Sequence, residues 1–225
     1  MRYVRWLSLP LWLAGLYLAL LWVPDIRALG VSYRIFYIHL GVAWTALLAL
    51  TGNFALSLAA LLSKGRQPAL DRFAQASAEV GLLMTTATLA SGMLWARVAW
   101  GAYWTWDPRL TTTAIMWFLY AGYLLLRQAI DDSGRRRVYS AVYALIVFID
   151  VPIVYLSVRW WQSIHPVVFT ESGMTITGQM LFAVIVFFFA TLVLALDLIS
   201  LRVTQEGLRQ ALDERRAERF ERLGY

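Results

Sequence analysis

Eleven consecutive residues, Trp100 to Leu110, read W-G-A-Y-W-T-W-D-P-R-L. They combine four large aromatics (Trp100, Tyr103, Trp104, Trp106), one carboxylate (Asp107), a turn-forming Pro108 and one guanidinium (Arg109). Placed where a helix leaves a bilayer, so much indole makes either an anchor in the headgroup layer or a platform for a flat apolar ligand. The chain has two histidines, His39 in Y-I-H-L-G-V-A-W and His165 in S-V-R-W-W-Q-S-I-H-P. Neutral imidazole is a good ligand for iron. There is no cysteine, which excludes disulfide, thiolate and iron–sulfur chemistry.

These groups need elements to position them, and the composition says which kind. Of 225 residues, 60% are apolar and 15% charged. A soluble domain carries about 45–50% and about 25%. The excess predicts an all-α integral membrane protein, a bundle of six transmembrane helices. The apolar runs place spans at about 6–23, 35–62, 80–95, 111–126, 138–158 and 178–201. A tryptophan-rich loop or short helix, 97–110, joins spans three and four. Residues 1–201 form the membrane domain and 202–225 a charged tail. The basic start and the first apolar run could be a signal peptide, but Pro24, Asp25, Ile26 and Arg27 follow instead of a small-x-small cleavage site, so an uncleaved span is expected. An amphipathic connector is expected before the hydroxyl-rich third span, whose Thr85, Thr86, Thr88 and Ser91 can bond along their own helix or across to another.

Fifteen of the twenty Lys and Arg fall on one side of this arrangement and five on the other. The bias places both termini in the cytoplasm and the tryptophan loop outside. It also explains the net charge of +6 by topology, without nucleic acid. Both histidines then come to the outer surface at the depth of the tryptophans. A single histidine in such a chain is more often a packing residue than a ligand. Two at one depth beside clustered indoles favour ligation.

A porphyrin is a flat apolar disc with a metal and two carboxylates. Trp100, Trp104 and Trp106 could wall it, and His39 and His165 could ligate its iron. Arg34, Arg97, Arg109 or Arg159 could meet the propionates. An interfacial belt accounts for Trp160 and Trp161 but poorly for a W-x-x-x-W-x-W-D-P cluster. Snorkelling accounts for some of the arginines.

The same segments resemble a known family. W-G-A-Y-W-T-W-D-P-R-L resembles the WWD signature of heme-handling proteins, and the two histidine segments resemble those of the CcmC family, heme exporter protein C of the system I cytochrome c maturation pathway. The larger relatives CcmF and CcsA carry more histidines. The resemblance implies a non-enzymatic subunit of the bacterial inner membrane that binds heme b transiently, as cargo, on the periplasmic face. It implies transfer to the heme chaperone CcmE, in company with the ABC-type subunits CcmA and CcmB and the small CcmD. Carried over by motif, Trp100, Trp104, Trp106 and Asp107 are the WWD residues and His39 and His165 the flanking histidines. Pro108 is closer to the CcsA spelling, and Asp150 stands where an uncharged residue is expected.

Other readings compete. A b-type cytochrome would hold heme permanently between the two histidines, and a CcsA-like protein would move it through its own spans. The absence of a G-x-x-x-x-G-K-[ST] loop excludes ATP hydrolysis at a Walker site of this chain. No paired nucleophile and base stands out. Asp150 within span five is a functional candidate by its position alone. Asn53 reads as interhelical glue, Glu79 as lying at the inner mouth of span three, and Asp197 as near the inner end of span six.

Overall fold

The computed structural model describes residues 2–24, 30–63, 67–166, 169–170, 173–174 and 178–223. Arg27, Lys64 and Arg66, which contribute to the charge bias, lie outside them. Among the described residues seven α-helices make the bundle: α1 (Arg2–Tyr17), α2 (Arg34–Leu62), α3 (Pro68–Trp100), α4 (Pro108–Ala129), α5 (Ser133–Val147), α6 (Asp150–Trp160) and α7 (Gln179–Leu223). A π-helical turn, Leu18–Trp22, extends α1, and a small antiparallel hairpin (Phe169–Thr170 with Gly173–Met174) precedes α7. Among the described residues, four helical stretches are long and apolar enough to cross a membrane: Arg34–Leu62, Pro68–Trp100, Ser133–Trp160 and Gln179–Asp213. Trp6–Trp22 is a shorter apolar helix. The 22 residues of α4 reach across a ~30 Å hydrocarbon core at ~1.5 Å each. The chain is a multi-pass membrane protein, and its helices fit six spans.

The helices differ from the apolar runs in three places. α3 begins at Pro68, so the expected connector belongs to it. Proline at the first helical position and Asp71 in the first turn suit a helix start. α7 continues to Leu223 with no break where the apolar run gives way to charge. The expected fifth span is two helices. Pro152 has no N–H to offer the Phe148 carbonyl, and that carbonyl accepts instead from Val151 at 3.0 Å. The helical hydrogen-bond ladder is interrupted at Phe148 and Ile149, whose backbones stay near helical values, so Ser133–Trp160 still serves as one membrane-crossing stretch.

Close packing holds the frame. A Cβ on Gly81 would come 2.4 Å from Leu50 of α2, and one on Gly41 would come 2.4 Å from Phe187 of α7. Such small-residue contacts let membrane helices approach closely. At the end away from the tryptophans, Arg127 of α4 makes a bidentate ion pair with Asp71 of α3, both bonds 2.8 Å. The Asn53 amide donates to the Ala74 carbonyl at 2.9 Å, joining α2 to α3. Glu79 pairs with Arg202 of α7, and Ser8 of α1 donates to Asp197 at 3.1 Å. These bonds fix one end of the bundle, and the other end is left to build a cavity.

Candidate ligand cavity at the tryptophan loop

α3 runs through Trp100 and stops at Gly101, whose φ of +77° suits glycine and closes the helix with a bond from its N–H to Arg97 O at 3.1 Å. Arg97 and Trp100 therefore stand on the last turn of α3, and the loop proper is residues 101–107. Asp107 caps α4, one carboxylate oxygen accepting the Arg109 N–H at 2.9 Å. Its other oxygen accepts the Ser163 hydroxyl at 2.6 Å and the Ile164 N–H at 3.0 Å. Ser163 Oγ in turn accepts the His165 N–H at 3.1 Å. The carboxylate thus joins the tryptophan loop to the segment that carries His165. Beside it Trp106 holds a φ of +54°, a region that costs a residue with a Cβ about 1–2 kcal/mol.

Between α2, α3, α4, α6 and the His165 segment lies a cavity of about 170 Å³, lined mainly by aromatic and aliphatic side chains with a few polar groups. Six of the eight expected site residues line it: His39, His165, Trp100, Trp104, Arg109 and Arg159. Trp106 and Asp107 do not. Trp106 is 77% exposed, and Asp107 is buried among the donors just described. Arg34 and Arg97 also stand outside the lining, each bonded to a backbone carbonyl, of Leu20 and Gly101 respectively. The cations left to face a ligand's carboxylates are Arg109 and Arg159.

The imidazoles are prepared differently. His39 Nδ1 lies 3.1 Å from the Thr88 carbonyl and 3.2 Å from Ser91 Oγ, both on α3. A carbonyl only accepts, so Nδ1 carries the proton and Nε2 keeps its lone pair. His165 is held through its backbone, and its Nδ1 is buried without a partner. Burial pushes its pKa down to about 3, with Arg109 and His39 acting the same way and Asp107 opposing them. The ring is neutral at ordinary pH, as a metal ligand must be. The two ring centres lie 6.3 Å apart at 53°. A metal about 2 Å from a nitrogen of each ring would need centres roughly 6 Å apart. Trp100 stands 6.1 Å from the His165 ring, and Trp95 meets Trp100 edge-on at 5.2 Å.

The sequence profile of heme exporter protein C matches residues 1–218 of the chain. The chain belongs to the CcmC family. Heme exporter protein C of Bradyrhizobium diazoefficiens is 37% identical over 151 residues, which cover 67% of this chain and 56% of that one. The protein of the same name from Haemophilus influenzae is 32% identical over 161 residues, 71% of this chain and 64% of that one. The one from Escherichia coli is 34% identical over 139 residues, 60% and 55%. The chain thus spans less than two thirds of the length of these relatives.

In this CcmC-family chain, spacing alone did not single out Trp95 or Gly92 as parts of the site. The signal was present: Thr88, Ser91, Gly92 and Trp95 recur at helical intervals on one face of α3. Gly92 matters because a Cβ there would lie 3.0 Å from His39 Cε1 and 3.4 Å from Nδ1. Gly92→Ala should therefore displace the His39 ring by a few tenths of an ångström without unfolding α3, where alanine is the better helix former. The expected result is weaker capture of the cavity's ligand with unchanged accumulation of protein, checked by ligand titration and membrane yield.

Proposed function

We propose that this chain is the heme-handling subunit of a cytochrome c maturation system, and that its cargo is heme b. One observation carries the reading: an imidazole with its Nε2 lone pair free faces a second neutral imidazole across an indole-walled cavity. Arg109 and Arg159 stand at the outer end of the cavity for the propionates. The names of the relatives agree with this reading, each being a heme exporter protein C. The Lys and Arg bias puts both termini in the cytoplasm and the cavity mouth at the periplasmic face of the inner membrane. The recipient is the periplasmic chaperone CcmE, and the energy comes from CcmA and CcmB, with CcmD as helper. His39 and His165 contact the iron, and Trp100 and Trp104 wall the ring. Trp106 reaches outward, 77% exposed, toward the recipient.

Hemin titrated into the purified protein should give a histidine-ligated absorption spectrum that declines when the chaperone is added. Trp106→Ala should keep the spectrum and slow the hand-over, because this indole stands outside the cavity. Equal capture and transfer rates in that variant would remove Trp106 from the recipient's surface. The centre-to-centre distance of 6.3 Å also suits a bis-histidine b-type cytochrome. Heme that stays bound in the presence of the chaperone and cycles reversibly between oxidation states would favour that second reading.

A further inference from the structure

The cavity reaches well below the histidines. From His39 down α2 its lining continues to Leu47, eight residues and about 12 Å deeper. On α4 it continues from Arg109 to Met116, and on α6 from Arg159 to Val154. The deep part lies within the spans and is lined by aliphatic side chains and by Thr85, Thr88 and Thr113, whose hydroxyls donate to carbonyls of their own helices.

Two aromatic side chains stand at the edge of this lining: Tyr155, which is exposed, and Trp44, which is half-buried with its ring 5.6 Å from that of Phe188 on α7. The exposed residues of α2 (Leu48, Thr51, Ala55, Leu58 and Leu62) form one stripe at helical spacing, and Trp44 is the half-buried position next above it. On α6 the exposed Pro152 and Arg159 form another, and Tyr155, 42% exposed, lies between them. Trp44 and Tyr155 both line the cavity. Lower down, α2 is closed against the α5–α6 junction by Phe54 stacked on Phe148 at 4.2 Å. α6 packs on α4, whereas α2 packs on α3, α7 and α5. The seam between α3 and α4 is bridged, the Trp117 indole donating to Thr86 at 2.8 Å.

We infer that the cavity opens sideways to the bilayer through a slot between α2 and α6, rimmed by Trp44 and Tyr155, and that heme is admitted through it edge-on from the lipid. This rests on the heme-handling reading. The slot gives the disc an apolar path from hydrocarbon to the histidines, with the propionates trailing along the polar outer end toward Arg159 and Arg109. Arg159 lies over the Tyr155 ring, 5.2 Å from its centre, so the cation and the rim aromatic are one unit.

Ala43 lines the cavity one position from Trp44, and the chain has no cysteine. Ala43→Cys therefore introduces a single thiol that can be alkylated after folding. The protein is placed in vesicles of phosphatidylethanolamine and phosphatidylglycerol, and hemin is supplied from a second vesicle population. Alkylation with a bulky lipid-soluble maleimide should slow the rise of the heme absorption band by about tenfold or more, about 1.4 kcal/mol on the barrier. Bound hemin should protect the thiol from that reagent. The same treatment of Leu48→Cys, one turn lower on the lipid face, should leave the rate unchanged. Loading at the untreated rate after complete alkylation of Ala43→Cys, or equal slowing of both variants, overturns the slot and leaves the heme site standing. Failure of the unsubstituted protein to take up hemin at all overturns the reading beneath it.

Discussion

Replacing His165 with alanine is expected to abolish stable heme capture while leaving the protein folded and inserted. The two halves of that expectation have separate grounds. The imidazole has no structural duty, since its Nδ1 is buried without a hydrogen-bond partner and the segment is held by backbone and Ser163 contacts. Removing it leaves a space beside Trp95 and Trp100 and breaks no side-chain bond among the described residues. Removing a ligand should cost more than removing the groups that orient one, which already costs about 10–100-fold in affinity. Capture should fall by more than about a hundredfold, read from the absorption spectrum of purified protein with added hemin. His39→Ala should weaken capture less cleanly. Its ring also bonds Thr88 and Ser91, so its loss removes a tie between α2 and α3 along with a ligand. Wild-type loading of the chaperone by both variants would contradict the ligand assignment.

The contrast between these histidines shows what could be read before the fold was known. The apolar runs marked where helices cross, because the cost of unsatisfied backbone in lipid permits little else. The clustering of indoles beside one carboxylate marked the end of the bundle that carries the cavity. The partners of each group were not legible. Nothing in Y-I-H-L-G-V-A-W says that His39 meets a carbonyl 49 positions later. The four outer arginines were equivalent as sequence, and only helix-end geometry turned Arg34 and Arg97 to backbone carbonyls and left Arg109 and Arg159 facing the cavity. The apolar run of span five hid its break, although Pro152 was its cause and was in plain view. A proline inside a span can kink or break it, and neighbouring helices decide which.

That break matters to the site. Phe148 at the interruption stacks on Phe54 of α2, and α6 beyond it packs on α4. The residues it carries (Val154, Tyr155, Val158 and Arg159) become a cavity wall. Asp150 begins α6 and is buried, its Oδ2 without a hydrogen-bond partner among the described residues.

Asp107→Ala is expected to disable heme capture even though the carboxylate lies outside the cavity lining. The substitution removes an N-cap from α4, worth about 0.5–2 kcal/mol. It also leaves the Ser163 hydroxyl and the Ile164 N–H without their acceptor, and a partly buried group left unpaired costs about 1–3 kcal/mol. The combined loss falls on the join between the tryptophan loop and the His165 segment and leaves the spans intact. The same bonds restrain Trp106 in its left-handed backbone conformation, so that strain should be released too. The protein should insert and accumulate, with faster amide exchange at residues 101–107 and 161–165 and with heme capture reduced to near that of His165→Ala. Asp107→Asn keeps one acceptor oxygen and cannot serve all three donors, so it should fall between. If Asp107→Ala lost capture with exchange at 161–165 unchanged, the carboxylate would be acting on the heme directly, and its assignment as the clamp that positions His165 would be wrong.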